Sequence, residues 1–158
     1  MTLDAKRRLF LKGSMAVASV GLAVAAGLLS PRTVLANWNA EAFGAENLDA
    51  ALQSGFGSTA LEDSDKIELD LPDLAENGAS VPVRVSTTLE GAETISVLAA
   101  KNPTPLAATY HLGDSGVRSV AMRVKLGQTG EVIGLVQANG KLYAARRSVK
   151  VTAGGCGG

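Results

Sequence analysis

Cys156 is the only cysteine in this chain of 158 residues. At about 3.3 Å per extended residue, the segment after Ala153 can project its sulfur on the order of 10 Å from the preceding domain. Glycines have no side chain and leave the backbone free, so they predict a flexible arm over residues 154–158 that can enter a narrow pocket. The glycines around the thiol are Gly154, Gly155, Gly157 and Gly158.

The surroundings of Cys156 favour a carrier over a catalyst. No Lys, Arg or His lies within five residues on its N-terminal side, and Lys150 is the nearest base. A thiol with the reference pKa of about 8.5 is thiolate to only a few per cent near neutrality. Activation would therefore come from the basic pocket of a partner, and we expect this protein itself not to be an enzyme.

Composition excludes several classes of site. One His and one Cys are too few for a zinc site, a blue-copper site or a Cys–His–Asn protease, and no cofactor motif is found, so we expect no metal and no cofactor. The whole chain has 15 basic and 15 acidic residues, but residues 37–158 contain 10 basic and 14 acidic residues, a net charge of −4. Nucleic acid is therefore not an expected partner.

Residues 1–36 have the pattern of a twin-arginine signal peptide. Arg7 and Arg8 precede Leu-Phe-Leu-Lys, a small-residue apolar run follows from Gly13 to Leu29, and Val34-Leu35-Ala36 suits signal peptidase. An uncleaved membrane anchor is the alternative, but the run falls short of the roughly 18 strongly apolar residues of a spanning helix. We therefore expect a periplasmic protein that begins at Asn37, without an anchor. Export in the folded state suggests a cytoplasmic partner that lacks its own signal.

Residues 37–153 are predicted to form an immunoglobulin-like β-sandwich of about seven strands after a short helix. Asn39 is the expected cap of a helix over Ala40 to Gln53. Apolar residues at period two, separated by Gly- and Asn-rich turns, predict the strands. The strands are centred on residues 67–71, 81–85, 95–99, 106–112, 120–126, 132–136 and 142–151.

Four further features of the sequence suggest structural or binding roles. Residues 132–136 are apolar on both faces of their strand, which suggests that the domain buries one sheet face or edge against a partner. His111 is interpreted as a strand-face histidine, and Trp38 with Phe43 as a hydrophobic contact on the sandwich or an interface. Arg146-Arg147 precede the arm and could guide it or an anionic substrate, although paired surface charges are usually just solvated.

Several motifs of the sequence occur together along the chain. They are the twin-arginine signal, Leu71 to Gly78 running into Val81-Pro82-Val83, Asn102-Pro103-Thr104-Pro105, Met122 to Leu126, and Gly154-Gly155-Cys156-Gly157-Gly158. With these motifs the sequence resembles the SoxY family, the sulfur-carrying subunits of the periplasmic Sox sulfur-oxidation system. The resemblance covers essentially the whole chain, and the terminal pentapeptide is its most specific part.

The resemblance implies an immunoglobulin-like domain that pairs with a SoxZ-like subunit, which has no signal peptide. It also implies that Cys156 is the covalent attachment point. The cytochrome pair SoxXA would conjugate thiosulfate to its thiol, and SoxB would hydrolyse off the terminal sulfone as sulfate. The sulfane dehydrogenase SoxCD, where present, would oxidise the sulfur that remains.

Two other functions stay open at this point. A ubiquitin-like sulfur carrier also ends in Gly-Gly, but it needs ATP-dependent activation and a long mid-chain helix that the pattern lacks. An exported structural or adhesive immunoglobulin-like domain would use Cys156 only for an intermolecular disulfide.

Overall fold

The structure is a computed structural model that describes residues 39–113 and 116–152. The signal segment 1–36 and the arm 154–158 lie outside these residues. Two helices and nine strands are found in the described ranges. The helices are α1 (Ala40–Gly44) and α2 (Leu48–Phe56), and the strands are β1 (Glu62–Asp63), β2 (Ile67–Asp70), β3 (Leu74–Ala75), β4 (Val81–Thr87), β5 (Ala92–Ala99), β6 (Leu106–His111), β7 (Ser119–Val124), β8 (Gly130–Ala138) and β9 (Lys141–Val151).

The strands form two sheets that pack as an immunoglobulin-like sandwich. The smaller sheet has the order β2-β4-β7, and the larger has the order β1-β9-β8-β5-β6, with β3 also paired to β9. All neighbours are antiparallel except β1 and β3, which run parallel to β9. All seven strands predicted from period two are present. The two additional strands, β1 and β3, have two residues each, too few to show a period.

The core between the sheets comes from the inward residues of both. Val85 of β4 packs with Ile95 and Val97 of β5, and all three are completely buried. Gly134 of β8 allows close approach here, because a Cβ at that position would lie 3.2 Å from Cγ1 of Val85. Any side chain at this position would require the Val85 side chain to shift by a few tenths of an ångström.

The N-terminal segment forms two short helices instead of the one helix predicted over Ala40 to Gln53. Asn39 caps α1 as expected, with its side chain accepting the Ala42 N–H at 3.0 Å. Asn47 starts a second helix by accepting the Ala50 N–H at 2.8 Å, and its own backbone is extended, which breaks the helical run. No helix in the two described ranges is long and apolar enough to cross a membrane.

The helices cover the outer face of the larger sheet and form a second apolar core. Leu52 of α2 packs in a cluster with Ile133 and Leu135 of β8, while Val132 and Val136 face the core between the sheets. Both faces of β8 are therefore covered from within the chain, so residues 132–136 do not bury a sheet face against a partner. That a sheet edge is buried against a partner stays a prediction.

Leu52→Ala should destabilise the domain by about 2–5 kcal/mol, because Leu52 is 1% exposed and the deletion leaves a cavity between α2 and the sheet. Leu74→Ala is the control, since Leu74 is 50% exposed and should change the free energy of unfolding by less than about 1 kcal/mol. Urea unfolding measures both. Equal losses in the two variants would show that the helices do not contribute a core of their own.

Candidate functional site

β9 is the last strand of the domain and leads directly into the segment that contains Cys156. It pairs with β8 from Ala138↔Lys141 to Gly130↔Val149. On its other edge it pairs with β3 through Leu74↔Lys150 and Ala75↔Val151. The end of β9 is thus hydrogen bonded beyond its last pair with β8.

Three hydrogen bonds hold the end of β9 on the side of β3. The Lys150 N–H donates to the Asp73 carbonyl at 2.9 Å, and the Thr152 N–H donates to the Ala75 carbonyl at 3.1 Å. The Thr152 hydroxyl donates to the Glu76 carbonyl at 3.1 Å.

Two more hydrogen bonds hold the end of β9 on the opposite edge. The Val151 N–H donates to the Thr129 hydroxyl oxygen at 2.9 Å, and the same hydroxyl donates to the Val151 carbonyl at 3.4 Å.

These bonds set the place from which the C-terminal segment departs. Thr152 is the last residue that the structure describes, and Cys156 follows four residues later in the sequence. The thiol, its flanking glycines and the signal arginines lie outside the described residues. These are Cys156, Gly154, Gly155, Gly157, Gly158, Arg7 and Arg8.

The arginines before the arm are engaged with acidic side chains. Arg147 forms an ion pair with Asp73, which precedes β3. Arg146 forms an ion pair with Asp63 of β1, and its Nε lies 3.8 Å from the Glu131 carboxylate. Both arginines lie on β9 opposite acidic residues on or beside β1 and β3, the strands that pair with it. These ion pairs explain the positions of the arginines without a role in guiding the arm or an anion.

Lys141 at the start of β9 is part of the same arrangement. Its Nζ donates a hydrogen bond to Glu62 of β1 at 2.9 Å. This bond and the charge of the carboxylate raise the pKa of Lys141 above its usual value.

A cleft with a volume of about 510 Å³ opens between β6 and β7. In the described sheets β6 pairs only with β5 and β7 only with β4, so each leaves one edge without a neighbour. Ala108 and Tyr110 line the cleft from β6, and Met122 lines it from β7. Tyr110 is 39% exposed, which is high for a large hydrophobic side chain. Lys125 and Arg123 also line the cleft, among residues that include no acid.

His111 and Phe43 take the structural positions expected of them. His111 ends β6 on the surface and lines a second cleft with Glu93, Arg118 and Asn139. Phe43 is half-buried against the cluster beneath the helices. Trp38 lies outside the described residues. Within the described ranges, no three His, Cys, Asp or Glu side chains lie close enough together to hold a metal ion.

The residues that hold the end of β9 were not predicted from the sequence. The motif from Leu71 to Gly78 contains β3, but nothing in it indicated pairing with the last strand. Thr129 lies in a turn, where a single hydroxyl gives no periodic signal. The only signal in the sequence is the position of Thr152 between a predicted strand and the glycines of the arm.

A family model described as Sulfur oxidation protein SoxY matches residues 52–156. A solved structure, the sulfur carrier protein SoxY from Chlorobium limicola f thiosulfatophilum, is 40% identical with a TM-score of 0.61, over 67% of this chain and 96% of that chain. A chain from a study of T cell specificity and activation by the bacterial superantigen toxic shock syndrome toxin-1 is 15% identical, with a TM-score of 0.37, over 53% of this chain and 99% of that chain. That second likeness is too low to carry an argument.

No curated protein matches the sequence. The family match extends over well more than half of the chain and ends at residue 156, and the Chlorobium protein covers the sandwich at 40% identity. The chain therefore belongs to the SoxY family of sulfur oxidation proteins.

Proposed function

We propose that this protein is a non-catalytic carrier that holds sulfur-oxidation intermediates covalently on the thiol of Cys156. The observation that carries the proposal is the position of the sole cysteine, five residues after the end of β9, which is held on both edges. The family match, which runs as far as residue 156, supports it. A fixed strand end followed by glycines suits a thiol that must be presented to several enzymes in turn.

The proposed chemistry starts with oxidative conjugation. The thiol sulfur of Cys156 and the outer sulfur of thiosulfate form an S–S bond, with release of one proton and two electrons that SoxXA accepts. SoxB then adds water across the bond between sulfur and the sulfone, which releases sulfate and leaves sulfane sulfur on the cysteine. SoxCD, where present, oxidises that sulfur further.

The arm geometry limits how the enzymes reach the thiol. Cys156 is the fourth residue after Thr152, which allows a span of at most about 14 Å between them. Glycine at the flanking positions keeps the width of the arm to that of the backbone. Each partner enzyme must therefore bring its reacting group within this radius and supply the base that activates the thiol.

We also propose export and a permanent partner. Residues 1–36 direct the folded protein to the periplasm by the twin-arginine route, together with a SoxZ-like subunit that has no signal of its own. The unpaired edges of β6 and β7 and the apolar cleft between them offer a surface that such a β-domain can cover.

Cys156→Ser should abolish covalent loading and leave the free energy of unfolding within about ±0.5 kcal/mol, because the residue follows the packed domain. Mass spectrometry after incubation with thiosulfate and SoxXA measures loading. Sulfur on the Gly158 carboxylate would point to a ubiquitin-like carrier, and a second chain on Cys156 to a disulfide-linked domain. Sulfur loading that persists in the Cys156→Ser variant would contradict the proposal.

Replacing Gly155 and Gly157 by Val tests whether the glycines allow the thiol to enter the active site of a partner enzyme. The β-branched side chains should slow conjugation by SoxXA, because they widen and stiffen the arm. Reaction of the thiol with a small alkylating reagent is the control and should barely change. An unchanged enzymatic rate would show that the glycines have no role in access.

Export depends on the arginine pair. Arg7→Lys with Arg8→Lys should leave the precursor in the cytoplasm, while Arg32→Lys, in the same segment but outside the motif, should be exported normally. The exported wild-type chain should begin at Asn37 by mass analysis. Periplasmic protein that retains residues 1–36 would contradict the cleavage site.

The partner prediction is a stable 1:1 heterodimer with a SoxZ-like protein. Size-exclusion chromatography with light scattering of the co-expressed pair should give one species, and Tyr110→Glu should weaken binding at least about tenfold by placing a charge in the cleft. Leu74→Glu is the control, because Leu74 is exposed but lies far from the cleft in the sheet order. Separate elution of the two wild-type chains at micromolar concentration would refute the pairing.

A further inference from the structure

β6 is an edge strand of the larger sheet and lacks the features that usually protect such an edge. An exposed edge presents unpaired N–H and C=O groups, and proteins protect it with short strands, charged residues or proline. The other edge strands of the described sheets have such features. β1 and β3 have two residues each, β2 carries Glu68 and Asp70, and β7 carries Arg123. β6 has six residues without Lys, Arg, Asp, Glu or Pro, so it is the edge most open to another strand.

The register with β5 identifies the backbone groups that point outward from β6. The Leu112 N–H, directly after the strand, donates to the Glu93 carbonyl at 2.9 Å. In an antiparallel ladder, hydrogen-bonded pairs alternate with pairs whose backbone groups point away from the neighbouring strand. Tyr110 is therefore bonded to β5, whereas Thr109 and His111 direct their N–H and C=O groups to the free edge.

A strand added to this edge would extend the larger sheet over the cleft between β6 and β7. Tyr110 of β6 and the half-buried Met122 of β7 line the cleft, whose volume is about 510 Å³. Every second side chain of an added strand would face the cleft. Apolar side chains at those positions would cover Tyr110, which is 39% exposed.

The charge beside the cleft favours an acidic strand. Lys125 and Arg123 line the cleft, and neither has an acidic partner within the described ranges. Arg123 donates instead to the Ser80 hydroxyl, with 2.7 Å between Nε and Oγ. A second copy of this chain, paired β6 to β6, would offer these bases no acid from the added strand, because β6 contains none. An acidic strand from a different chain would supply the missing counter-ions.

We propose that an acidic edge strand of the partner subunit adds to β6 and continues the larger sheet across the interface. Its backbone would bond the outward groups of Thr109 and His111, and its carboxylates would lie beside Lys125 and Arg123. Backbone bonds supply affinity in this mode of recognition, and charge complementarity selects the partner. The inference rests on the proposed function, because it specifies how the partner of that function binds. The edge of β7 is left without an added strand.

Amide exchange in the intact complex tests the added strand directly. The isotope-labelled mature chain is measured by NMR alone and with the unlabelled SoxZ-like partner. The N–H groups of Thr109 and His111 should exchange at least about 10-fold more slowly in the complex, because they become hydrogen bonded. The outward N–H groups of Ser119 and Ala121 on β7 should not change; their direction follows from the bond between the Thr87 N–H and the Arg118 carbonyl.

Proline substitution tests the contribution of the outward groups to affinity. Thr109→Pro removes an N–H that faces the free edge, a position at which sheets tolerate proline. Thr109→Val is the matched control, since both variants lose the hydroxyl contact with Ser96 at 3.0 Å but the valine keeps the N–H. The proline variant should bind the partner at least about tenfold more weakly than the valine variant. Ala121→Pro, at an outward position of β7, should bind like the wild type. Circular dichroism checks each fold, and if Thr109→Pro does not fold, the exchange result on the wild-type chain decides.

Charge reversal tests the acidic character of the partner strand. Lys125→Glu should weaken binding at least about tenfold by placing a carboxylate against the acids of that strand. Lys66→Glu is the control, because Lys66 is also exposed and precedes β2, at the opposite edge of the smaller sheet from β7. Both variants change the net charge equally. Equal affinities of the two variants would overturn the acidic strand.

Light scattering first shows whether the complex forms, and separate chains would defeat the pairing under the proposed function. If the complex forms, slower exchange on β7 in place of β6, or on neither edge, would overturn the added strand while the pairing stands. Slower exchange at Thr109 in the concentrated chain without partner would also overturn it, because a second copy would then be the occupant. The two kinds of failure are therefore distinguishable.

Discussion

Hydrogen bonding on both edges of β9 holds the point at which the folded domain passes into its C-terminal segment. β8 pairs with β9 from Ala138 to Gly130, and β1 and β3 pair with the opposite edge. Chain termini are poorly ordered unless they are tied into the fold. Because β9 lies inside the larger sheet, its position is set by strands on either side, and the sheet fixes where the following residues begin.

Charge helps to explain why segments as short as β1 and β3 pair with this strand. Acidic residues are concentrated from Glu62 to Glu76, and the basic residues of β9 face them as Lys141–Glu62, Arg146–Asp63 and Arg147–Asp73 pairs. Exposed ion pairs contribute little energy individually. Their arrangement nevertheless favours the observed edge over others, since the smaller sheet has no comparable row of bases. The negative charge of the segment from Glu62 to Glu76 is therefore partly balanced by the bases of β9.

The sequence allowed the main strands of the sandwich to be predicted, because alternation along five or more residues is imposed by one buried face. It failed where that relation breaks down. β8 is covered on both faces, so its apolar residues could not distinguish the helices of the same chain from a partner. β1 and β3 are too short to show alternation. The second helix begins at Asn47, and a sequence pattern does not distinguish an asparagine that caps a new helix from one that lies within a continuing helix.

The candidate site also has one part that could be predicted from the sequence and one part that could not. The importance of Cys156 could be inferred from composition and family resemblance, because a lone thiol among glycines is conspicuous in sequence. The residues that hold the strand before it could not, since Thr129 and Thr152 act through contacts between distant parts of the chain. Long-range pairs of this kind leave no local pattern, and only the register of β9 with its neighbours brings them together.

The folded domain and the C-terminal segment with Cys156 have different requirements. The domain gains its stability from two apolar cores, one between the sheets and one beneath the helices, and Val151 near the end of β9 packs against the first of them. The residues from Lys150 to Thr152 add backbone pairing with β3 and hydrogen bonds of the Thr129 and Thr152 hydroxyls, each bond worth about 0.5–1.5 kcal/mol. These contacts are all made among residues that precede Cys156. Under the proposed function, the thiol can therefore be substituted without loss of the contacts that hold the fold.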